Sequence, residues 1–166
     1  LKSIVTWDPE SEVKFANNEP MRPYFNRSQI QTYLEDFGGP GVQHAAFEVD
    51  DILSTVRQLR ERGIDFLHTP STYYESRPDS LAEQGVESID EDWDELEELG
   101  ILVDGSDDGY LLQIFMKEAA LVHEEPEAGP FFIELIQRKG DRGFGGGNFR
   151  ALFEAIERDQ QERGRV

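Results

Sequence analysis

The chain has 166 residues, 37% of them apolar, enough for the core of one domain. Its 35 acidic against 16 basic residues leave a net charge of −19, which argues against nucleic acid, whose phosphates need Lys and Arg, and against an anionic membrane surface. Cysteine is absent, so disulfide-built secreted scaffolds and thiolate zinc sites are excluded. The charge fits a protein of a high-salt organism, where screening removes self-repulsion, and equally an ordinary acidic enzyme. No stretch has the length of a membrane span and the start is not a signal peptide, so the expected location is the cytoplasm. The opening LKSIVTWD reads as a strand entered midway, and the chain as a fragment of a longer protein.

In chain order, Ser3 to Trp7 and EVKFA (12–16) predict a hairpin around the turn-rich DPES. NNEPMRPYFNRS is read as loop, and QIQTYLEDF as a short helix or turn closed by Gly38 and Gly39. VQHAAFEV (42–49) predicts a strand, followed by Asp50 and Asp51, well placed to cap a helix. In ILSTVRQLRERG, Ile52, Val56 and Leu59 form a stripe at helical spacing that Gly63 ends. IDFL is read as a short strand and TPSTYYESRP as loop. SIDEDWDELEELG predicts a helix with Trp93, Leu96 and Leu99 inward and a solvated acidic face. ILVD, GSDDG and YLLQIFM form a predicted hairpin, AALVHEEPEAG a loop and PFFIELIQR the last strand. After the glycine-rich DRGFGGG, the segment 148–164 predicts a helix with Phe149, Leu152, Phe153 and Ile156 on one face. Antiparallel strands around a few helices make the fold class α+β.

Two ionisable groups lie in apolar strand runs, where burial of a lone charge is costly: His44 and Glu134. Imidazole and carboxylate with open positions left over is how non-haem iron(II) is held. The plain alternative is a hydrogen-bonded histidine, and a separation of 90 residues carries no local spacing signature. By strand alternation Gln113 and Phe115 share a face, as do Phe132 and Glu134. If these faces line one cavity, it is mostly apolar with a few placed polar groups, the usual make-up of a small-molecule site. GFGGGN lacks the Lys-Ser/Thr of a phosphate loop and reads better as a hinge before the last helix, on which Phe149 and Phe153 could form a lid.

Four segments, SQIQTYLEDFGGPGVQHAAF, FLHTPSTYYE, ILVDGSDDGYLLQIFMK and FFIELIQRKGDRGFGGGNFRALFEAIE, resemble the C-terminal half of 4-hydroxyphenylpyruvate dioxygenase, a family of the vicinal-oxygen-chelate superfamily. The resemblance runs from Ser3 to about Gly164. It implies a βαβββ module (39–138) forming part of an open barrel around a metal. The last strands and linker of a preceding module (1–38) come before it, and a hinge and C-terminal lid helix (139–166) follow. It also implies Fe(II) held by two histidines and a glutamate, of which His44 and Glu134 match two; the other histidine would lie upstream of Leu1. His68 and His123 match no ligand motif.

By the same resemblance, Ser3, Asn18, Gln29, Gln43, Gln113, Phe115, Phe132, Phe144, Asn148, Phe149 and Phe153 match substrate-site positions, with Gln113, Asn148 and Gln29 closest to the chemistry. Ala16 and Asn17 depart from the apolar or proline-containing segment usual before NEP. The implied reaction converts 4-hydroxyphenylpyruvate and O2 to homogentisate and CO2 in tyrosine breakdown, and the implied assembly is a homo-oligomer, dimer or tetramer. The alternatives are a 4-hydroxymandelate synthase, with the same metal site and substrate, and a non-catalytic binding module of the same fold.

Overall fold

Two sheets organise the chain, in a computed structural model that describes residues 2–20, 29–143 and 145–148. They belong to two units that divide between Val42 and Gln43. In the first, strands β1 (Lys2–Trp7) and β2 (Lys14–Glu19) pair antiparallel, from Lys2 opposite Glu19 to Trp7 opposite Lys14. The Asp8 carboxylate accepts the Ser11 amide (3.0 Å) and hydroxyl, which closes the turn. β2 runs further than expected: Asn17, Asn18 and Glu19, read as loop, complete the ladder because β1 offers them partners. Helix α1 (Gln29–Phe37) buries Ile30 and Tyr33, and Tyr33 stacks on Phe37 one turn later.

The second unit holds a four-stranded mixed sheet made of β3 (His44–Glu48), β4 (Leu102–Ser106), β5 (Gly109–Phe115) and β6 (Phe132–Lys139), in the order β3-β6-β5-β4. β3 runs parallel to β6; the other pairs are antiparallel. Between β3 and β4 lie helices α2 (Ile52–Glu61), α3 (Ser71–Glu83) and α4 (Trp93–Leu99), a crossover followed by three strands. Strands packed around these helices make the fold α+β, the class expected from the sequence. Asp51 caps α2 by accepting the Ser54 amide (2.9 Å), and Asp92 caps α4 by accepting the amides of Asp94 and Glu95. Gly100 ends α4 in the left-handed conformation.

Alternation along the strands gives this sheet two unlike faces. One packs Leu112, Ile114 and Leu135 against Ile52, Val56 and Leu96 of the helices, in a continuous apolar core. The other carries His44, Glu134, Gln113 and Phe115.

In the second unit, three further segments differ from their sequence reading. IDFL does not become a strand; Phe66 makes only an isolated bridge to Met116, and Leu67 N–H donates to the Phe115 carbonyl (2.8 Å). TPSTYYESRP is not a loop: from Ser71 it enters α3, with Pro78 inside the helix. Pro78 costs one backbone bond, but Tyr74, Arg77 and Leu81 at helical spacing are buried, and that burial decides. AALVHEEPEAG contains a short helix, α5 (Ala119–Val122), and a 3-10 turn at Pro126–Ala128. The expected C-terminal helix lies outside the described residues.

Candidate metal centre and its hydrogen-bonded support

Register places the two candidate ligands. In the parallel β3–β6 pair, His44 lies opposite Phe132 and Ala46 opposite Glu134, so His44 and Glu134 are diagonal neighbours on one face. His44 Nε2 stands 3.5 Å from Glu134 Oε2. The histidine side chain is 25% exposed and the glutamate 6%, so the pair opens to solvent on the histidine side.

Burial sets the charges. It pushes the Glu134 carboxyl up to about 7, only partly offset by the Gln113 hydrogen bond and by Arg138. Burial lowers the His44 imidazole from its ordinary value. Both groups are therefore driven toward their neutral forms near neutral pH, and the contact is not a strong ion pair. A divalent cation between them would reverse the cost for the carboxylate and needs the histidine neutral. The donor set, one imidazole and one carboxylate, thus fits a hard to borderline metal. Among the described residues no third His, Cys, Asp or Glu joins the pair.

The ligands are oriented from behind. The Gln43 side-chain oxygen lies 3.3 Å from His44 Nδ1; accepting a proton there leaves Nε2 free to face Glu134. Gln113 Nε2 donates to Glu134 Oε1 (2.7 Å), and Asn148 Nδ2 donates to Gln113 Oε1 (2.8 Å). Asn148 and Gln113 are both almost fully buried, where unpaired amides would be costly. An aromatic wall adjoins the pair: His44 stacks on Phe132 at 5.0 Å, and Phe132 meets Phe115 edge to face at 6.2 Å.

His44, Glu134, Gln43, Gln113, Phe115, Phe132 and Asn148 thus converge. Ser3 and Asn18 sit directly opposite one another in the β1–β2 ladder, and Gln29 is a buried residue of α1; all three belong to the first unit. Phe144, Phe149 and Phe153 lie outside the described residues. His68 and His123 are exposed.

Sequence reasoning missed a second buried cluster, behind Asn148. The Tyr73 hydroxyl lies 2.8 Å from Asn148 Oδ1 and 2.8 Å from the Val103 carbonyl, and it accepts the Val103 amide (2.9 Å). Arg77 Nε donates to the Val103 carbonyl (2.7 Å), and its guanidinium pairs with Asp104 at 2.6 Å. Asp104 in turn accepts the Gly147 amide (2.7 Å). The available signal was Asp104 in an apolar strand on the same face as Gln113, a buried carboxylate that demands a partner. Reading 69–78 as loop hid Tyr73 and Arg77, which lie one turn apart on α3.

The glycine segment is bonded more tightly than a free hinge. Gly146–Asn148 is a 3-10 turn, and a Cβ on Gly145 (φ +69°) would lie 1.8 Å from Gln113 Oε1. A Cβ on Gly147 would lie 2.3 Å from Asp104 Oδ1. Close approach requires glycine at both positions, and at Gly145 the left-handed backbone requires it as well.

Residues 2–80 match the model of the Glyoxalase/Bleomycin resistance protein/Dioxygenase superfamily. Along its whole length the chain is 43% identical to a 4-hydroxyphenylpyruvate dioxygenase of Yarrowia lipolytica and 46% identical to one of Dictyostelium discoideum. It spans 40% and 43% of those two proteins. A solved structure of a mutant 4-hydroxymandelate synthase from Streptomyces coelicolor superposes with a TM-score of 0.69 at 37% identity, over 95% of this chain and 42% of that one.

Proposed function

We propose that this chain, a homologue of the 4-hydroxyphenylpyruvate dioxygenases in the glyoxalase/dioxygenase superfamily, carries the iron-binding part of such an enzyme. The observation that carries the reading is the His44–Glu134 pair, 3.5 Å apart on one sheet face, in a chain so similar to those dioxygenases. His44 Nε2 and Glu134 Oε2 would hold Fe(II), with a third protein ligand from outside the described residues. Ferrous iron, when bound, supplies the centre that chelates a 2-oxo acid and activates dioxygen for oxidative decarboxylation.

The chain's own residues do the rest. Gln43 fixes the His44 tautomer that offers Nε2. Gln113 takes up Glu134 Oε1 and turns Oε2 toward the metal position. Phe132 and Phe115 wall the site, excluding water and presenting ring faces to an aromatic substrate. Gln113 and Asn148 place amide groups beside the carboxylate. Ser3, Asn18, Gln29, Phe144, Phe149 and Phe153 are proposed further substrate contacts, on the strength of the resemblance alone. The proposed substrate is 4-hydroxyphenylpyruvate and the proposed product homogentisate, in tyrosine catabolism. The enzyme is proposed to be a cytoplasmic homo-oligomer. No helix among the described residues is long and apolar enough to cross a membrane.

The likeness to a 4-hydroxymandelate synthase favours one second reading, hydroxylation of the benzylic carbon instead of the ring. Product analysis of the full-length protein with Fe(II), O2 and 4-hydroxyphenylpyruvate separates the two. Homogentisate supports the proposal, hydroxymandelate supports the second reading, and neither product with iron bound points to a non-catalytic module.

A further inference from the structure

The sequence assigned Tyr73, Arg77 and Asp104 no role in the site, yet all three are at least partly buried: Tyr73 is bonded to Asn148, Asp104 to the glycine turn, and Arg77 to Asp104. We infer that Tyr73 and Arg77 are positioning residues that set the direction of the amide relay from Asn148 through Gln113 to Glu134, while Asp104 pins the turn that carries Asn148. The consequence for iron rests on the proposed metal role of Glu134; the hydrogen-bond content stands on this geometry alone.

Proton counting gives the direction. The Tyr73 hydroxyl has one proton and two acceptors in reach, the Val103 carbonyl and Asn148 Oδ1, each at 2.8 Å. Arg77 Nε already donates to that carbonyl at 2.7 Å, a charge-assisted bond. The hydroxyl lone pair takes the Val103 amide, and because the carbonyl already holds a charge-assisted donor on one of its two lone pairs, the single hydroxyl proton is better placed on Asn148 Oδ1. Burial raises the Tyr73 hydroxyl above its usual range, so that proton is retained. With Oδ1 occupied, Asn148 turns Nδ2 to Gln113 Oε1, and Gln113 turns Nε2 to Glu134 Oε1.

Reverse either amide and the relay fails at its end. Gln113 would present Oε1 to a desolvated carboxylate, two acceptors facing one another in a buried place. One phenolic proton therefore selects between two arrangements of the same side chains. Asp104 holds the relay in register, taking Arg77 Nη2 on Oδ1 (2.6 Å) and the Gly147 amide on Oδ2 (2.7 Å).

A simpler role also exists for these residues. β4 is an edge strand, and Tyr73 and Arg77 cap its free Val103 groups. Edge capping alone predicts that Tyr73→Phe costs stability and nothing else.

The test uses full-length protein labelled with 15N at Asn and Gln side chains, without metal, followed by Fe(II) titration. In the unsubstituted protein the Gln113 and Asn148 NH2 groups should exchange slowly with solvent. In Tyr73→Phe that exchange should accelerate at least tenfold, and Fe(II) affinity should fall roughly tenfold, at the low end for groups that support metal ligands. Arg77→Lys removes the Nε donor, releases the Tyr73 proton toward Val103, and should give the same shifts should Tyr73→Phe fail to fold. A folded variant with unchanged amide exchange and unchanged iron affinity overturns the inference and leaves edge capping. If the unsubstituted protein binds no iron, the metal reading falls, while amide exchange still judges the relay.

Discussion

Along β5 and the first half of β6 the two faces of the four-stranded sheet are both largely buried but built on opposite rules. Toward the helices, Leu112, Ile114 and Leu135 make apolar contacts that have no direction, and their stabilisation follows area removed from water. Toward the site, Glu134, Gln113 and Asn148 are as buried, yet each holds its place by a donor or acceptor of one sense. The first face can lose volume and keep its function; the second can keep its volume and lose function by one reversed amide. The difference teaches where stability and chemistry can be separated in this chain.

The sharpest way to break that comparison is a crossed pair of substitutions. Leu112→Ala, in the fully buried apolar face, should cost about 2–5 kcal/mol in denaturant melts and leave the Fe(II) affinity of the folded protein unchanged. His44→Ala should lower Fe(II) affinity by more than about 100-fold, since even supporting groups are worth about 10–100-fold, with a much smaller loss of stability. Leu112→Ala with weakened iron binding would show that the faces are not independent.

Gly147→Ala probes the polar face by volume. The added Cβ would meet Asp104 Oδ1 at 2.3 Å, so the turn must shift, at a cost of about 1–3 kcal/mol as in other overpacked sites. Iron affinity should fall with it. If instead stability holds and affinity is unaffected, the turn is a loose hinge and not a bonded part of the site.

Acid–base behaviour sharpens the comparison further. Glu134 is raised in the fold, from 4.5 to about 7, so the folded metal-free protein holds a proton that the unfolded chain has released. Its stability should therefore fall as pH rises from about 4.5 through about 7. His44 is lowered, so below about 6.5 the unfolded chain takes up the proton first and stability falls toward acid. Between about pH 4.5 and 6.5 the two effects oppose one another, so the slope there is shallower than for Glu134 alone. Glu134→Gln should remove the alkaline limb, stabilise the metal-free protein at pH 8 by about 1–2 kcal/mol and leave the acid limb. Thermal melts across pH 4–9 check this, and an unaltered alkaline limb would mean that Glu134 is not its source.

The same residues show what could be read from the chain. His44 and Glu134 stood out because a charge in an apolar, β-prone run needs a reason, and strand alternation put Gln113 and Phe115 on one face. α2 and α4 were legible from Asp51, the Ile52–Val56 spacing and the Trp93, Leu96 and Leu99 stripe, all local signals. α3 was not, because Pro78 and a run of Ser, Thr and Tyr look like loop until the core supplies a place for Tyr74 and Leu81. With α3 misread, the Tyr73–Arg77 face and the Asp104 anchor of the glycine turn could not be seen. Diagonal pairing across β3 and β6 is non-local and followed only from the register.

A smaller effect concerns the surface and not either face. With a net charge of −19, melting temperature should rise modestly as KCl shortens the Debye length from about 10 to about 3 Å. A melting point that falls or stays fixed removes the support for a high-salt setting.

The most direct measurement is an anomalous-difference map at the iron edge, from crystals of the full-length protein loaded anaerobically with Fe(II). The account predicts one iron within roughly 2.0–2.2 Å of both His44 Nε2 and Glu134 Oε2, by analogy with other nitrogen–oxygen metal sites. Iron held elsewhere, or none with both side chains well ordered, would contradict it.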